Sequence, residues 1–428
     1  MAGALDGIRV LEFSLIVAGP MCGLVLADMG ADVIKVEPPG GEPQRKNRSV
    51  VPGESKLFQS FNHGKRDLVV DLSRPEGRAI VHRLMPSIDV VIVNYRYGVA
   101  AQLGIDYETL RGIRPDVIYV ESTGWGSRGP LAQRGCSDVV AQAYSGLMAA
   151  DGKLEPDGAP AQVTATAIAD YMTALASATA ICGALFHRGR TGEGQKINTS
   201  LLRSAIWGQA HTVNREPVTD SLFADVTVQK MNEIRASGGS YSDLIAMREG
   251  ERSMGAQFAL YYSGYQAKDG GLILGALTPA NRDAFRRALE LVGEDSDDPN
   301  YDALDPENVR KGDEFKEIIR QKMRTRTVAE WLEIFDAHGA PVAPVNFPEE
   351  LRDDPQVQAE GLFVDLVHEV TGEQSVVAPV FEMSATPTQV TRPSPPLGRD
   401  TREVLIEGGW SAEEVEQLVS GGVVYARD

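Results

Sequence analysis

Residues 8–37, IRVLEFSLIVAGPMCGLVLADMGADVIKVE, decide the fold of the first half of the chain. Ile8–Phe13 is a short apolar run that predicts a strand, and it leads into Pro20, which suits the first turn of a helix. We expect that helix to continue to about Met29, where a glycine ends it. Asp32–Glu37 then predicts a second strand. The stretch is therefore a strand–helix–strand unit of the kind that builds α/β sheets.

The same alternation continues over the first 125 residues. Asp89–Asn94 and Asp116–Glu121 are short, β-branched runs that are typical of buried strands. A long helix of small residues is predicted over residues 169–187, closed by Gly189, and a strand follows at Lys196–Thr199. These patterns predict an α/β protein with a Rossmann-like large domain.

The apolar periodicity weakens after residue 210, where charged, Gly- and Ser-bearing stretches begin. Beyond them we expect a second, smaller α/β domain with a strand at Leu272–Leu277 and a helix at Asn281–Val292. A capping box of Thr327 with Glu330 predicts the start of another helix. The predicted order is a large domain begun by residues 1–210, a linker at 211–255, a small domain at 256–326, and a segment at 327–428 that links back and completes the large domain.

Composition excludes several classes of protein. The net charge is −18, which argues against a nucleic-acid partner because phosphate backbones attract basic surfaces. No run approaches the roughly 18 apolar residues that cross a bilayer, and no secretory signal is visible at the start. We therefore expect a cytoplasmic protein with no membrane partner.

Metal chemistry has little support in the sequence. Cys22, Cys136 and Cys182 are widely spaced and fit no metal-ligand or disulfide pattern. The histidines show no metal-ligand spacing, and these positions are 63, 82, 187, 211, 338 and 368. We expect no metal and no tightly bound cofactor.

The opening unit imitates a dinucleotide-binding fingerprint. Gly19 and Gly23 are four residues apart, however, whereas the fingerprint needs G-x-G-x-x-G. A nicotinamide-dependent dehydrogenase is therefore disfavoured. The N-terminus of the helix predicted near Pro20 can still bind a phosphate or an adenine. Alternatively, the turn between the strand and this helix binds no ligand.

Asp170 stands out because it lies where an apolar, small-residue stretch meets the predicted long helix. No Lys or Arg lies within sixteen residues on either side. An aspartate at this place is either a helix cap or a carboxylate held in an apolar setting as a nucleophile. The residues alone leave both interpretations open.

A resemblance to a known family favours the nucleophile. The chain resembles the family III CoA-transferases over nearly its whole length. The segments that carry the resemblance include LDGIRVLEFSLIVAGPMCGLVLADMGADVIKVEPPGG, KRDLVVDLSRPEGR, DVVIVNYRYGVAAQLGIDYETL, SDVVAQAYSGLMA, IADYMTAL, HRGRTGEGQKINTSLL, EWLEIFDAHGAPVAPVN and PLGRDTREVL. In that family the aspartate of the IADYMTAL segment is the nucleophile, and that position is Asp170 here.

The resemblance also implies a binding site for coenzyme A. The implied contacts are Val17, Ala18, Val70, Asp71, Leu72, Ser73, Arg74, Asn94, Tyr95, Arg96, Gln102, Arg134, Gly135, Cys136, Ser137 and Asp138. Family members can carry basic residues where this chain has Pro38, Ser73, Gln102 and Gly135, so Arg74, Arg96 and Arg134 are candidates for the phosphate contacts. The glycine-rich loop that shields the nucleophile in some members is reduced here to Gly255, Ala256 and Gln257.

The expected function is the transfer of coenzyme A from an acyl-CoA to a free carboxylic acid. The reaction would pass through an acyl-aspartyl anhydride and an aspartyl-CoA thioester. One alternative is a 2-methylacyl-CoA racemase on the same scaffold. In that branch a histidine stands where this chain has Ser137, and a serine hydroxyl is a poor base near neutral pH. A CoA-binding protein without catalysis is a further alternative. The resemblance also implies an interlocked homodimer, and the sequence leaves the identity of the two acids open.

Overall fold

The computed structural model describes residues 2–163, 165–252, 259–302 and 305–427. The chain divides into two compact units. The first unit comprises Met1–Glu155, Pro160–Arg215 and Gln356–Asp428, and the second comprises Pro156–Ala159 and Glu216–Pro355. The predicted shielding loop of Gly255, Ala256 and Gln257 lies outside the described residues.

Twelve strands are found in the described residues. They are β1 (Arg9–Phe13), β2 (Asp32–Glu37), β3 (Arg66–Val70), β4 (Val90–Val93), β5 (Ile118–Thr123), β6 (Lys196–Ser200), β7 (Gly264–Gln266), β8 (Gly271–Leu274), β9 (Val342–Pro344), β10 (Phe363–His368), β11 (Gly372–Val377) and β12 (Val424–Tyr425). The strands predicted in the first half of the chain are thus confirmed to within two residues at their ends.

The first unit is built on a seven-stranded sheet with the order β12-β3-β2-β1-β4-β5-β6. All neighbours are parallel except β12, which runs antiparallel to β3. In the register, Leu11 of β1 lies between Ile34 of β2 and Val91 of β4. The order of the strands reverses at β1, and a ligand crevice is expected at the carboxyl ends of the two strands that flank such a point. The predicted α/β class is confirmed.

Helices cover both faces of this sheet, and further helices belong to the second unit. The α-helices of the first unit are Ala18–Asp28, Lys56–Asn62, Pro75–Leu84, Val99–Gln102, Tyr107–Ile113, Asp138–Tyr144, Leu147–Asp151, Ile168–Thr191, Leu201–Trp207, Ala210–Val213, Thr401–Glu407 and Ala412–Ser420. The α-helices from residue 217 to residue 359 are Pro217–Leu222, Ala224–Ala236, Tyr241–Arg252, Pro279–Ala288, Pro306–Met323, Val328–His338 and Pro355–Ala359. Short 3₁₀ turns lie at Pro43–Lys46, Met85–Ser87 and Pro348–Asp353.

The sheet has a separate hydrophobic core on each face because successive side chains of a strand point to opposite faces. Leu11 and Phe13 of β1 belong to one cluster, whereas Val10 belongs to the other. The second cluster also contains Leu26 of the first helix and Ile181 of the helix Ile168–Thr191. Both faces are therefore buried, as the continuous apolar strands predicted.

The helix Ile168–Thr191, which we call the Asp170 helix, is longer than predicted. It runs through Gly189 and ends at Gly192, whose φ of 79° is the left-handed conformation that glycine adopts most easily. By length and composition alone it could cross a membrane, which the sequence analysis did not anticipate. Ala174 and Ala178 pack in the core of the first unit, and a buried core helix passes the same test.

The second unit has its own core around the antiparallel sheet β7-β8-β9. The Phe335 ring stacks there on the Trp331 ring and meets the Phe285 ring edge-to-face. The predicted capping box of Thr327 and Glu330 is present. Because Trp331 and Phe335 lie in this core, the segment predicted to begin the return to the large domain at residue 327 is part of the second unit here.

Residues 211–255 differ most from the sequence prediction. We expected a linker, whereas the described part of this range holds helices at Ala210–Val213, Pro217–Leu222, Ala224–Ala236 and Tyr241–Arg252. The first three bury no residue, and their large apolar side chains, such as Leu222 and Val228, are exposed.

Candidate active site

A cavity of about 470 Å³ opens at the carboxyl ends of β1, β4 and β5. Eight of the residues that line it were predicted as site residues, and they are Ala18, Asn94, Tyr95, Arg96, Cys136, Ser137, Asp138 and Asp170. Seven were not, and they are Leu15, Ile16, Val99, Ser122, Thr123, Gly124 and Leu201. The crevice that the strand order predicts is therefore the place where the candidate nucleophile lies.

Asn94 closes the base of this crevice by joining the turns that follow β1 and β4. Its side-chain oxygen accepts the N–H of Leu15 at 2.8 Å, and its side-chain nitrogen donates to the Leu15 carbonyl oxygen at 2.8 Å. A side chain on Gly19 would place its Cβ 2.4 Å from the Cβ of Ser14, so only glycine fits there. The first helix can consequently begin close against the end of β1.

Asp170 lies in the first turn of the Asp170 helix and is buried. The helix has no capping side chain of its own at Ala167. Asp138 supplies the cap from another helix, because its Oδ1 accepts the N–H of Ala169 at 2.8 Å and the N–H of Asp170 at 3.1 Å. Asp170 is therefore not the cap of its helix, and its carboxyl group is left to face the cavity.

Gln142 fixes Asp138 from the opposite side. The Gln142 side-chain nitrogen donates to Oδ2 of Asp138 at 2.5 Å, and its oxygen accepts the N–H of Val163 at 3.1 Å. Gln142 is buried, so this bridge is protected from water. Both oxygens of Asp138 are thus engaged, one by the Asp170 helix and one by Gln142.

The environment of Asp170 favours its protonated form. Burial, and then the nearby carboxylate of Asp138, raise the pKa of Asp170 to about 7. Burial, Asp170 and Asp138 also raise the pKa of the Cys136 thiol to about 11, so that thiol is protonated near neutral pH. Of the two, Asp170 is the group that gains and loses its proton in the ordinary working range.

Arg96 is the single cation among the described residues that line the cavity. Its guanidinium group lies against Gly135, where a Cβ would be 3.1 Å from Nη2. No described residue forms an ion pair with this guanidinium, and Asp138 and Asp170 are the two acids of the same wall. Arg96 is therefore placed to receive an anionic group of a ligand.

The remaining predicted CoA contacts lie outside this cavity. Val17 is buried and does not line the cavity. Val70 ends β3, two strands away from β1, and Asp71, Leu72, Ser73 and Arg74 follow it. Arg74 donates to the carbonyl oxygen of Gly421 at 2.7 Å, so it already has a partner within the first unit. Gln102 and Arg134 are exposed, and Gly135 abuts Arg96. Whether these residues contact coenzyme A stays a prediction.

Sequence reasoning missed several lining residues, for three different reasons. Ser122 and Thr123 end β5, and a search of every strand's carboxyl end for polar residues would have found them. Leu201 begins the helix after β6 and carries no distinguishing signal. Ile16 adopts a φ of 70°, which an isoleucine rarely does and which no sequence pattern reveals.

The residues that line the cavity bear on the racemase and metal-enzyme alternatives. Among the described residues that line it, no histidine is found, and Ser137 is where the racemase branch has one. Within the described chain, no group of three or more His, Cys, Asp or Glu side chains is placed to hold a metal ion.

Known proteins resemble this chain over almost its full length. The model of CoA-transferase family III matches residues 5–401. A succinate–glutarate CoA-transferase of Agrobacterium fabrum is 37% identical over 415 residues, which cover 94% of this chain and 95% of that protein. A formyl-CoA:oxalate CoA-transferase of Rhodopseudomonas palustris is 31% identical over 429 residues, covering 99% and 97%. The crystal structure of a CAIB/BAIF family protein from Brucella suis has a TM-score of 0.73 at 29% identity, covering 95% of this chain and all of that one.

Proposed function

The chain belongs to CoA-transferase family III, and from that premise we propose that Asp170 carries the acyl group while coenzyme A passes from an acyl-CoA to a free carboxylic acid. The observation that carries the proposal is the position of Asp170. Its carboxyl group faces the cavity from a buried helix start whose N–H groups are already capped by Asp138. An aspartate that served only as the N-cap of the helix would accept those N–H hydrogen bonds itself.

The proposed sequence of steps exchanges one activated acyl group for another. The Asp170 carboxylate attacks the carbonyl carbon of the acyl-CoA, the C–S bond breaks, and an acyl-aspartyl anhydride and the CoA thiolate result. The thiolate attacks the aspartyl carbonyl, which releases the donor acid as a carboxylate and leaves an aspartyl-CoA thioester. The acceptor carboxylate then attacks this thioester and expels the thiolate. Attack of the thiolate on the acceptor's carbonyl gives the new acyl-CoA and restores Asp170.

The protein's part is to hold the reactants together and to keep water from the anhydride. The sequence suggested that N–H groups at the helix start stabilise the oxyanion. In the structure the N–H groups of Ala169 and Asp170 both donate to Asp138. We therefore assign oxyanion stabilisation to another donor of the wall, the Ser137 hydroxyl, because Ser137 lines the same cavity.

Small dicarboxylic acids are the substrates we propose. The similar proteins are named for succinate and glutarate and for formate and oxalate, and three of these four acids carry two carboxyl groups. A second carboxylate needs a cation in a cavity whose other charged groups are acids, and Arg96 is that cation. We keep a cytoplasmic location and an interlocked homodimer as parts of the proposal.

The racemase remains the second candidate, and two parallel incubations distinguish the two functions. The protein is mixed with succinyl-CoA and glutarate, and separately with a chiral 2-methylacyl-CoA, both in deuterated water, and the thioesters are identified by mass spectrometry. We expect glutaryl-CoA in the first mixture and no enzyme-dependent deuterium at the α-carbon in the second. Deuterium uptake at the α-carbon, with no transfer of coenzyme A to any member of a wider panel of carboxylic acids, would overturn the proposal.

A further inference from the structure

The wall of the cavity contains a residue in an unfavourable backbone conformation. Ile16 has a φ of 70°, and its partly exposed side chain lines the cavity. The left-handed region is rarely adopted by β-branched residues, because the Cβ crowds the backbone. Such a conformation persists only where the surroundings impose it, and it is concentrated at functional sites.

Three side chains impose it on the turn formed by residues 14–17. Lys35 donates from Nζ to the carbonyl oxygen of Ser14 at 3.0 Å, and Asn94 holds both backbone groups of Leu15. The third contact is to Ile16 itself, whose N–H donates to Oε2 of Glu42 at 2.8 Å.

Glu42 is fixed in place by charge. It is fully buried, and its Oε1 lies 3.1 Å from Nζ of Lys35, which is fully buried as well. The backbone N–H of Glu42 donates to Oε2 of Glu37 at 2.7 Å. One carboxylate therefore binds Lys35 with one oxygen and Ile16 with the other, and it does not itself line the cavity.

We propose that Glu42 is a positioning residue, which holds the Ile16 backbone in its left-handed conformation so that the Ile16 side chain forms part of the wall against the acyl-CoA. The inference rests on the proposed function for the identity of the ligand. Glu42 then has two roles. It belongs to the buried ion network, and it positions the backbone of Ile16.

The substitution Glu42→Gln, made both with and without Ile16→Gly, separates these two roles. A carboxylate accepts hydrogen bonds at both oxygens, whereas an amide of the same size accepts at only one and donates at the other. The Lys35 cation is the stronger partner, so the amide oxygen turns to Lys35 and its NH₂ group meets the N–H of Ile16. The variant keeps Lys35 as a hydrogen-bond partner but loses the charge of the buried carboxylate, and it also loses the contact to Ile16.

Ile16→Gly provides the test background, because glycine adopts positive φ without cost. With glycine at this position the wall is lost and the turn no longer needs Glu42. We expect Glu42→Gln to lower kcat/KM for the acyl-CoA by about tenfold in the parent protein and by less than about twofold in the Ile16→Gly background, the non-additivity expected of contacting residues. The matched control is Asp400→Asn, at a fully buried acid that contacts no lining residue.

Every outcome decides the inference. Equal losses in the two backgrounds, or no loss in either, would show that Glu42 has no role through Ile16. If Glu42→Gln alone fails to fold, recovery of folded protein on adding Ile16→Gly supports the inference, and no recovery contradicts it. An absence of transfer by the parent protein for the whole acid panel would instead refute the proposed function, so the two failures are distinguishable.

Discussion

Oδ1 of Asp138 lies 3.1 Å from the backbone nitrogen of Asp170, so the carboxylate that caps the Asp170 helix is also the nearest negative charge to the candidate nucleophile. The contact has two consequences. It fixes the helix start without using Asp170, and it raises the pKa of the Asp170 carboxyl group beyond what burial does.

The first prediction concerns the pH dependence of transfer. Because Asp170 attacks as a carboxylate and its pKa is about 7, kcat/KM falls as the pH falls through about 7. Asp138→Asn removes the neighbouring charge and keeps an oxygen acceptor for the helix, so the inflection moves to lower pH. Since burial is the larger cause, it stays above the ordinary aspartate value.

The matched control for this measurement is Asp106→Asn. Asp106 caps the helix Tyr107–Ile113 by accepting the N–H of Thr109 at 3.2 Å, and it lies outside the cavity. Its replacement leaves the inflection where it was. An unmoved inflection in Asp138→Asn would show that Asp138 does not act on the charge of Asp170.

The second prediction is that Arg96 and Arg74 differ, although both were candidates for the phosphates of coenzyme A. Arg96→Ala removes the cation of the cavity, and we expect the KM for acyl-CoA to rise by about tenfold or more, the scale of a charge-assisted hydrogen bond. Arg74 already donates to the Gly421 carbonyl, so Arg74→Ala leaves KM within about twofold of the parent. Steady-state kinetics of both variants with one acyl-CoA measures these KM values. A larger rise in KM for Arg74→Ala than for Arg96→Ala would refute the role of Arg96 as the cation that binds the ligand.

The third prediction concerns stability. The pKa of Asp170 is raised to about 7 in the folded protein. At any pH between the ordinary aspartate pKa and about 7, the folded state therefore keeps the Asp170 proton, whereas the unfolded chain has lost it. The free energy of unfolding therefore falls as the pH rises through this range, by on the order of a few kcal/mol from this group. In Asp170→Asn this pH-dependent decrease in the free energy of unfolding is absent.

Urea unfolding of the parent and of Asp170→Asn between pH 4 and pH 8 measures the effect. We expect the Asn variant to gain stability relative to the parent as the pH rises to about 7, and the gain to level off above it. A difference that is independent of pH would mean that Asp170 ionises as it does in an unfolded chain.

The fourth prediction is the assembly. The first unit exposes Leu175 and Phe186 on the Asp170 helix and Trp207 at the end of the helix Leu201–Trp207, with 43%, 68% and 76% of each residue accessible. We expect a second copy to cover such residues, and the interlocked dimer implied by the family would then not separate without unfolding. Analytical ultracentrifugation of the folded protein at nanomolar concentration is the measurement, and a folded monomer there would contradict the prediction.

The sequence was sufficient where local rules act alone. The strand–helix–strand unit at residues 8–37 and the capping box that begins at Thr327 are both present in the structure. Each of them depends on residues within a few positions of one another, so pattern and propensity determine them. The placement of Asp170 at a helix start follows for the same reason.

The remainder depends on contacts between distant parts of the chain. Asp138 was predicted as a ligand contact, yet its hydrogen bonds to a helix start 31 and 32 residues away follow only from how the two helices pack. Glu42 is buried with Lys35 and reaches Ile16 because the loop after β2 folds back over β1. A charged residue in a loop gives no sign of such burial in the sequence.

The central claim is that Asp170 becomes acylated during transfer, and chemical trapping tests it most directly. The protein is incubated with an acyl-CoA and hydroxylamine, which attacks an activated aspartyl carbonyl, and the peptide that contains Asp170 is then analysed by mass spectrometry. We predict a hydroxamate at Asp170 that depends on acyl-CoA and is absent in Asp170→Ala, together with a loss of transfer activity of at least about a hundredfold in that variant, or about 3 kcal/mol of barrier. Undiminished transfer by Asp170→Ala, with no modification of the Asp170 peptide in the parent protein, would contradict the account.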